Sequence, residues 1–205
     1  MEWITGFIIG LTAIISACGT LIVTTLKAKK SIEETIPKKL KRQCNIDIEI
    51  IQRMEQIKEI LGADRVQIYD FHNGGHYANG RSALKTSCTY EVTRAGVKGY
   101  QMYLQALPLS AIPRFTKVLI NNGELNVRSL EDIKDEMPSA YNIKREQGVK
   151  SFYDIVLENK NKEPIGFLGI QYVKNQQKEY STDDKKEMLR LKFFIEENLD
   201  KMISK

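Results

Sequence analysis

The sequence contains few of the residues from which disulfide scaffolds and metal centres are built. Its 205 residues include only three cysteines and two histidines. Cys18, Cys44 and Cys88 are widely separated and form neither a CxxC pair nor a zinc-binding spacing. This cysteine usage is typical of proteins in a reducing compartment.

Sequence motifs for catalysis are also missing. There is no Walker A motif, no GxSxG motif and no nucleophile beside a base in a recognisable pattern. Asp183 and Asp184 are adjacent carboxylates, but their place at the start of a predicted helix explains them as capping residues. The sequence therefore predicts a protein without enzymatic activity, and it indicates no particular cofactor.

Charged residues are absent from Trp3 to Leu26. At about 1.5 Å per residue, a helix of this length covers a hydrocarbon core of roughly 30 Å. We therefore predict a transmembrane anchor over 1–26, a basic juxtamembrane connector over 27–45 and one soluble domain over 46–205. The basic residues of the connector are Lys27, Lys29, Lys30, Lys38, Lys39, Lys41 and Arg42.

Two cleaved signals are alternatives to a permanent anchor. A signal peptide has a basic N-terminal region, whereas only Met1 and Glu2 precede Trp3. The segment Ile15-Ser16-Ala17-Cys18 looks like a lipobox, but the chain stays largely apolar after the cysteine instead of becoming polar. Both observations favour the permanent anchor.

The position of the basic residues predicts the orientation of the anchor. Lys and Arg lie only on its C-terminal side, which places the N-terminus outside the inner membrane and the domain in the cytoplasm. The connector would also attract anionic lipid headgroups, by about 1 kcal/mol per basic residue near the surface. In the rest of the chain, charges of both signs are interspersed, which argues against a nucleic-acid-binding surface.

Apolar residues recur at helical spacing between residues 38 and 61, with Gly62 as a predicted C-cap. They form one stripe: Ile46, Ile50, Met54, Ile57 and Leu61. Two interpretations are open. The stripe packs on the domain's own sheet, or it forms a short coiled coil in a homodimer.

The remaining pattern predicts an α+β fold. Strands are predicted over 65–71, 83–93, 125–127, 151–157 and 164–173, with a loop over 72–80. Helices are predicted over 111–121, 130–136 and 138–147, and a last helix begins at a Ser181–Asp184 capping box. This order fits a central antiparallel sheet with the N- and C-terminal helices on one face.

Several short motifs in the second half occur in a characteristic order. They are Phe115–Leu119, Asn122-Gly123-Glu124, Gly148–Ser151, Ile155–Leu157, Ile165–Ile170 and Tyr180–Asp184. Together they resemble a GAF domain, a small sensory fold related to PAS, over about residues 46–203. The resemblance implies a sensor or protein-docking module. The chain lacks a cysteine within a recognisable bilin motif and the NKFDE-type signature of the cyclic-nucleotide branch.

The overall layout has a second resemblance. One N-terminal span, a charged connector and a compact α+β domain are similar to a class of tailed-phage holins. That resemblance implies an alternative function, a membrane-lesion protein whose soluble domain regulates oligomerisation. Those holins place their domain outside the inner membrane, opposite to the orientation that the charges predict here.

Both histidines lie in one glycine-rich segment, which makes it the candidate ligand site. Glycines let backbone N–H groups approach a ligand, and side-chain donors surround them. The candidate residues are His72, Asn73, His76 and Arg81, with Cys88 and Tyr90 of the next strand expected to line the same pocket. Alternatively, the Asn-Gly pairs only form the hairpin turn. No third nitrogen or sulfur ligand is near, so no metal site is predicted.

Overall fold

The computed structural model describes Ile22 and residues 37–203. The chain divides into two units, Met1–Ile46 and Asp47–Lys205, and the second contains the sheet. Apart from Ile22, the predicted anchor lies outside the described residues, as do Lys27, Lys29 and Lys30. Among the described residues, no helix is long and apolar enough to cross a membrane. The anchor and the domain boundaries therefore stay predictions.

The described elements begin with a helix, α1, over residues 37–61. The strands are β1 (Arg65–His76), β2 (Ser82–Thr93), β3 (Leu107–Pro108), β4 (Glu124–Val127), β5 (Ser151–Glu158) and β6 (Pro164–Tyr172). The other α-helices are α2 (Pro113–Asn122), α3 (Pro138–Glu146) and α4 (Thr182–Ile203).

The six strands form one antiparallel sheet in the order β3-β2-β1-β6-β5-β4. Alternation along β1 divides the side chains between two buried faces: Val66 and Ile68 point one way, Gln67 and Tyr69 the other. The predicted strands over 83–93, 151–157 and 164–173 are confirmed within one or two residues.

Helices α1 and α4 cover the face of the sheet that carries Val66 and Ile68. The Tyr172 hydroxyl of β6 donates to the Leu61 carbonyl at the end of α1, at 3.0 Å. The Tyr90 hydroxyl of β2 donates to Asp47 of α1 and also contacts Met202 of α4. The prediction that the N- and C-terminal helices share one face is therefore confirmed.

The apolar stripe of α1 is buried inside its own domain. Ile50, Met54, Ile57 and Leu61 are at most 1% exposed. Of the two interpretations of this stripe, packing on the sheet is the one observed. The apolar stripe on which the predicted homodimer through 38–61 was based is therefore not exposed for contact with a second copy of the chain.

Helices α2 and α3 cover the opposite face. Phe167 of β6 stacks on Tyr69 of β1, with ring centroids 4.4 Å apart, and meets Phe115 of α2 edge-on at 5.8 Å. Phe152 of β5 and Tyr141 of α3 belong to the same buried cluster. These aromatic side chains form a layer between the sheet and helices α2 and α3, and the candidate site lies within this layer.

Two local predictions are wrong. The predicted loop over 72–80 is shorter, because β1 and β2 continue to pair as far as His76 and Ser82. Gly74 permits this, since a Cβ there would lie only 2.7 Å from the Ala83 carbonyl oxygen. The predicted helix over 130–136 is a single 3-10 turn, Leu130–Ile133. Its start is fixed by the Leu130 N–H, which donates to the Lys150 carbonyl at 2.7 Å.

The two predicted helix caps, the capping box at Ser181 and the C-cap at Gly62, are confirmed. Ser181 and Asp184 cap each other reciprocally, with the Asp184 N–H 3.0 Å from Ser181 Oγ and the Ser181 N–H 3.1 Å from Asp184 Oδ2. Gly62 ends α1 with a φ of 66°, the left-handed conformation typical of a helix C-cap.

Candidate functional site

A small cavity, the inner cavity, lies between the sheet and helices α2 and α3. Its volume is about 40 Å³. At roughly 10–15 Å³ for each water position, it has room for about three. Tyr69, Phe115 and Phe167 form aromatic walls, whereas Thr86 and Lys144 bring polar groups to it.

A larger depression, the outer cleft, lies on the other side of the wall formed by Leu104, Leu107, Ile143 and Gln147. Its volume is about 340 Å³, within the usual range for small-molecule sites. Its other lining residues include Lys98, Tyr100, Tyr103 and Glu146. A separate depression of about 210 Å³, between the starts of α2 and α3, borders the inner cavity on another side.

A buried ion pair lies at the inner cavity. Lys144 Nζ of α3 donates to Asp154 Oδ2 of β5 at 2.9 Å, and both side chains are more than 90% buried. The ammonium also lies 3.8 Å from the centre of the Phe152 ring. Burial raises the pKa of Asp154, and the neighbouring Lys144 counteracts that rise.

One oxygen of the ion pair and one oxygen of a cavity-lining residue lack hydrogen-bond partners within the described part of the chain. They are Asp154 Oδ1 and Thr86 Oγ1, and both residues are at most 1% exposed. Because an unsatisfied buried polar group costs about 1–3 kcal/mol, native proteins hold few of them. Because Thr86 lines the inner cavity together with Lys144, its unpartnered hydroxyl points to a site that accepts polar groups.

The outer cleft is bordered by the segment 98–107, which is held by side chains of β2. The Glu91 carboxylate accepts the backbone N–H groups of Tyr100 and Gln101 at 2.8 to 3.0 Å. The Ala106 N–H donates to Ser87 Oγ at 2.8 Å. Ala106 has a φ of 54°, which is uncommon for a residue with a side chain and indicates local strain.

A buried arginine connects this segment to the centre of the sheet. Arg65 of β1 donates from Nη2 to the Lys98 carbonyl and from Nη1 to Gln171 Oε1, both at 2.7 Å. Its Nε lies 3.5 Å from Glu91 Oε1. Burial lowers the pKa of Arg65, while Glu91 counteracts that change. The arginine therefore depends on Glu91 for charge compensation.

The structure does not bring the histidine-containing segment to the inner cavity or the outer cleft. His72, Asn73, His76 and Arg81 are all exposed on the β1–β2 hairpin. Asn73 Oδ1 accepts the Gly75 N–H at 3.0 Å, as an Asn that shapes a turn does. His72 Nε2 lies 2.9 Å from Ser87 Oγ. Ligand binding by these residues stays a prediction.

Cys88 and Tyr90 do not share a pocket, because they lie on opposite faces of the sheet. The register of β1 and β2 shifts between Ile68 and Tyr69, and this irregularity turns the strand at Thr89. Cys88 therefore joins the aromatic layer and Tyr90 contacts α1 and α4. Burial raises the pKa of Cys88, so its thiol is unreactive.

The sequence interpretation missed Lys144 and Asp154. Asp154 is a charged residue in the middle of the apolar strand Ser151–Leu157. A carboxylate in such a strand has to find a buried cation, and this signal was available in the sequence. The identity of the cation could not be read from the sequence, because only the packing of α3 on the sheet brings Lys144 to Asp154.

The four described basic residues of the connector, Lys38, Lys39, Lys41 and Arg42, are exposed on α1.

Solved structures with the same arrangement of elements are known. The GAF domain of PixJ from Thermosynechococcus elongatus aligns over 80% of this chain and 94% of that chain, with 13% identity and a TM-score of 0.59. A far-red cyanobacteriochrome photoreceptor aligns over 85% and 96%, with 12% identity and a TM-score of 0.58. The fold is GAF-like.

The chromophore-binding domain of a Stigmatella aurantiaca bacteriophytochrome is also similar. It aligns over 72% of this chain and 51% of that chain, with 16% identity and a TM-score of 0.52. No family model and no curated protein matches the sequence. At such low identity these similarities establish the GAF-like fold and nothing finer. They support neither the membrane anchor nor the holin resemblance.

Proposed function

We propose that this chain is a sensor module whose GAF-like domain binds a small molecule at the inner cavity and the outer cleft. The observation that carries the proposal is an unpartnered buried oxygen, Thr86 Oγ1, which shares a cavity with aromatic walls with the Lys144 side chain. Apolar cavities with a few convergent polar groups are typical ligand sites. The module acts by binding and not by catalysis, in keeping with the absence of catalytic motifs from the sequence.

The proposed ligand is smaller than a linear tetrapyrrole. One of the similar structures, a far-red absorbing protein with a TM-score of 0.51, is described with bound biliverdin. Here the inner cavity of about 40 Å³ admits only the end of a molecule, and the body would lie in the outer cleft. The buried thiol of Cys88 is also a poor nucleophile for covalent attachment.

Binding would be transmitted through the segment 98–107. A ligand that joins the two spaces has to displace Leu104, Leu107 or Gln147, which separate them. Glu91 holds this segment and contacts Arg65, so a shift there reaches the central strand β1. In this proposal, the strained Ala106 marks a position at which the backbone is able to move.

Hydrogen exchange of the purified full chain tests the proposed binding site. A library of small neutral and charged molecules is screened for compounds that raise the melting temperature, since binding to the native state stabilises it. For such compounds, we expect slower amide exchange in 98–107 and 139–147 and little change in the 72–81 hairpin. Protection confined to the hairpin would transfer the site to His72, Asn73, His76 and Arg81.

We also propose that the module is tethered to the inner membrane by residues 1–26, with the domain in the cytoplasm. The uncharged run and the basic residues after it support this proposal. We expect alkaline phosphatase fused after Lys205 to be inactive and a cytoplasmic fluorescent reporter there to be active. A strongly active phosphatase would contradict this orientation and favour the holin alternative, which rests on the sequence layout alone.

A further inference from the structure

Two side chains form a polar floor of the inner cavity: Lys144 and Thr86. Lys144 and Thr86 line the cavity directly. Asp154 is not one of the lining residues and is joined to the polar floor through its ion pair with Lys144. Its Oδ1 faces Gly169, where a Cβ would lie 3.1 Å from it.

The polar floor has unused hydrogen-bonding capacity of both kinds. An ammonium group has three donors, and Asp154 is the only hydrogen-bond partner of the Lys144 ammonium among the described residues. Thr86 Oγ1 has no hydrogen-bond partner among the described residues and is able to act as donor or acceptor. A matching ligand group has an acceptor and a donor side by side.

The charge of the polar floor excludes an ionic ligand group. Lys144 and Asp154 already compensate each other, and the surrounding walls are the rings of Phe115, Phe152 and Phe167. A carboxylate or an ammonium brought into this layer would be an uncompensated buried charge, which costs several kcal/mol. A neutral group with the same hydrogen bonds has no such cost.

We propose that the polar floor binds the amide group of a neutral small molecule. The amide oxygen accepts from Lys144, and the amide N–H donates to Thr86 Oγ1. The apolar part of the molecule extends past Leu104 and Leu107 into the outer cleft. This inference rests on the proposed function, because it names the class of ligand for the same site.

The test compares benzamide with benzoate on the full chain, by thermal unfolding and by titration calorimetry. The two probes have nearly the same shape and differ in charge and in the N–H donor. We expect benzamide to bind at least tenfold more tightly than benzoate. Because the two probes have nearly the same shape, a difference in affinity would reflect the hydrogen bonds and charges of the polar floor.

Substitutions in the inner cavity test where benzamide binds. Thr86→Val keeps the side-chain shape and removes the hydroxyl, so benzamide should bind roughly three- to tenfold more weakly while the melting temperature is unchanged or higher. The matched control is Thr89→Val, whose hydroxyl bonds the Ile68 carbonyl and does not line the inner cavity. It should leave benzamide affinity unchanged. Lys144→Met/Asp154→Leu should abolish the preference for benzamide.

Each contrary outcome has a distinct meaning. Benzoate binding as tightly as benzamide would overturn the amide inference and leave the proposed function intact. Unchanged benzamide affinity in Thr86→Val and in the double variant would show that benzamide binds elsewhere, and would also overturn the inference. Failure of benzamide, benzoate and every library compound to bind would overturn both the inference and the proposed function.

Discussion

Replacing Lys144 by methionine is expected to lower the free energy of unfolding by about 3–5 kcal/mol, because it leaves the Asp154 carboxylate buried without its cation. Urea unfolding of the intact chain measures this change. The double variant Lys144→Met/Asp154→Leu removes both charges and should be close to the wild type or more stable. Equal losses in the single and double variants would mean that packing, not charge, accounts for the effect.

The stability lost in the Lys144→Met variant should also depend on pH. Burial already raises the pKa of Asp154, and removing Lys144 takes away the group that lowers it. A carboxyl group whose pKa is higher in the folded state than its unfolded value of about 3.9 stabilises the fold when protonated. Stability should therefore fall as pH rises from the unfolded pKa through the folded pKa. The double variant, which lacks the carboxyl group, serves as the control.

Gly166→Ala is expected to destabilise the protein by about 3 kcal/mol, at the upper end of the usual cost of overpacking. A Cβ at Gly166 would overlap the Tyr69 carbonyl oxygen, which belongs to the neighbouring strand and cannot move without separating β1 from β6. The change in the midpoint of urea unfolding measures the effect, at a constant denaturant slope.

Gly169→Ala on the same strand is the matched control for Gly166→Ala. Its Cβ would meet the Asp154 carboxylate at 3.1 Å, a side chain that is able to shift by a few tenths of an ångström. The expected loss is about 1 kcal/mol or less. If both alanine variants lose the same stability, backbone overlap at Gly166 is not the cause.

Most of the architecture could be predicted from the sequence, because local patterns decide it. The apolar residues from Ile50 to Leu61 have helical spacing whatever surface they pack against. The alternation in β1 and the capping box at Ser181 likewise depend only on residues that are close in sequence. The motifs that resemble GAF domains likewise determine the fold and not a ligand. That is why the GAF-like fold was predicted while the candidate site was not.

The candidate site depends on contacts between segments that are distant in sequence. The cluster around His72 was prominent in the sequence because both histidines are close along the chain, yet β1 carries it past the end of its pairing with β6, onto an exposed hairpin formed with β2 alone. A one-residue irregularity at Thr89 moved Tyr90 to the other face, and strand alternation alone could not show it.

By itself the sequence determined the uncharged N-terminal run, the order of the elements and the alternation that gives the sheet two buried faces. Only the tertiary structure decided that the stripe of α1 is covered by its own domain, and that Lys144 of α3 meets Asp154 of β5. The physical reason is that periodicity specifies which side of an element is apolar, whereas a buried charge acquires its partner only when two distant elements pack together.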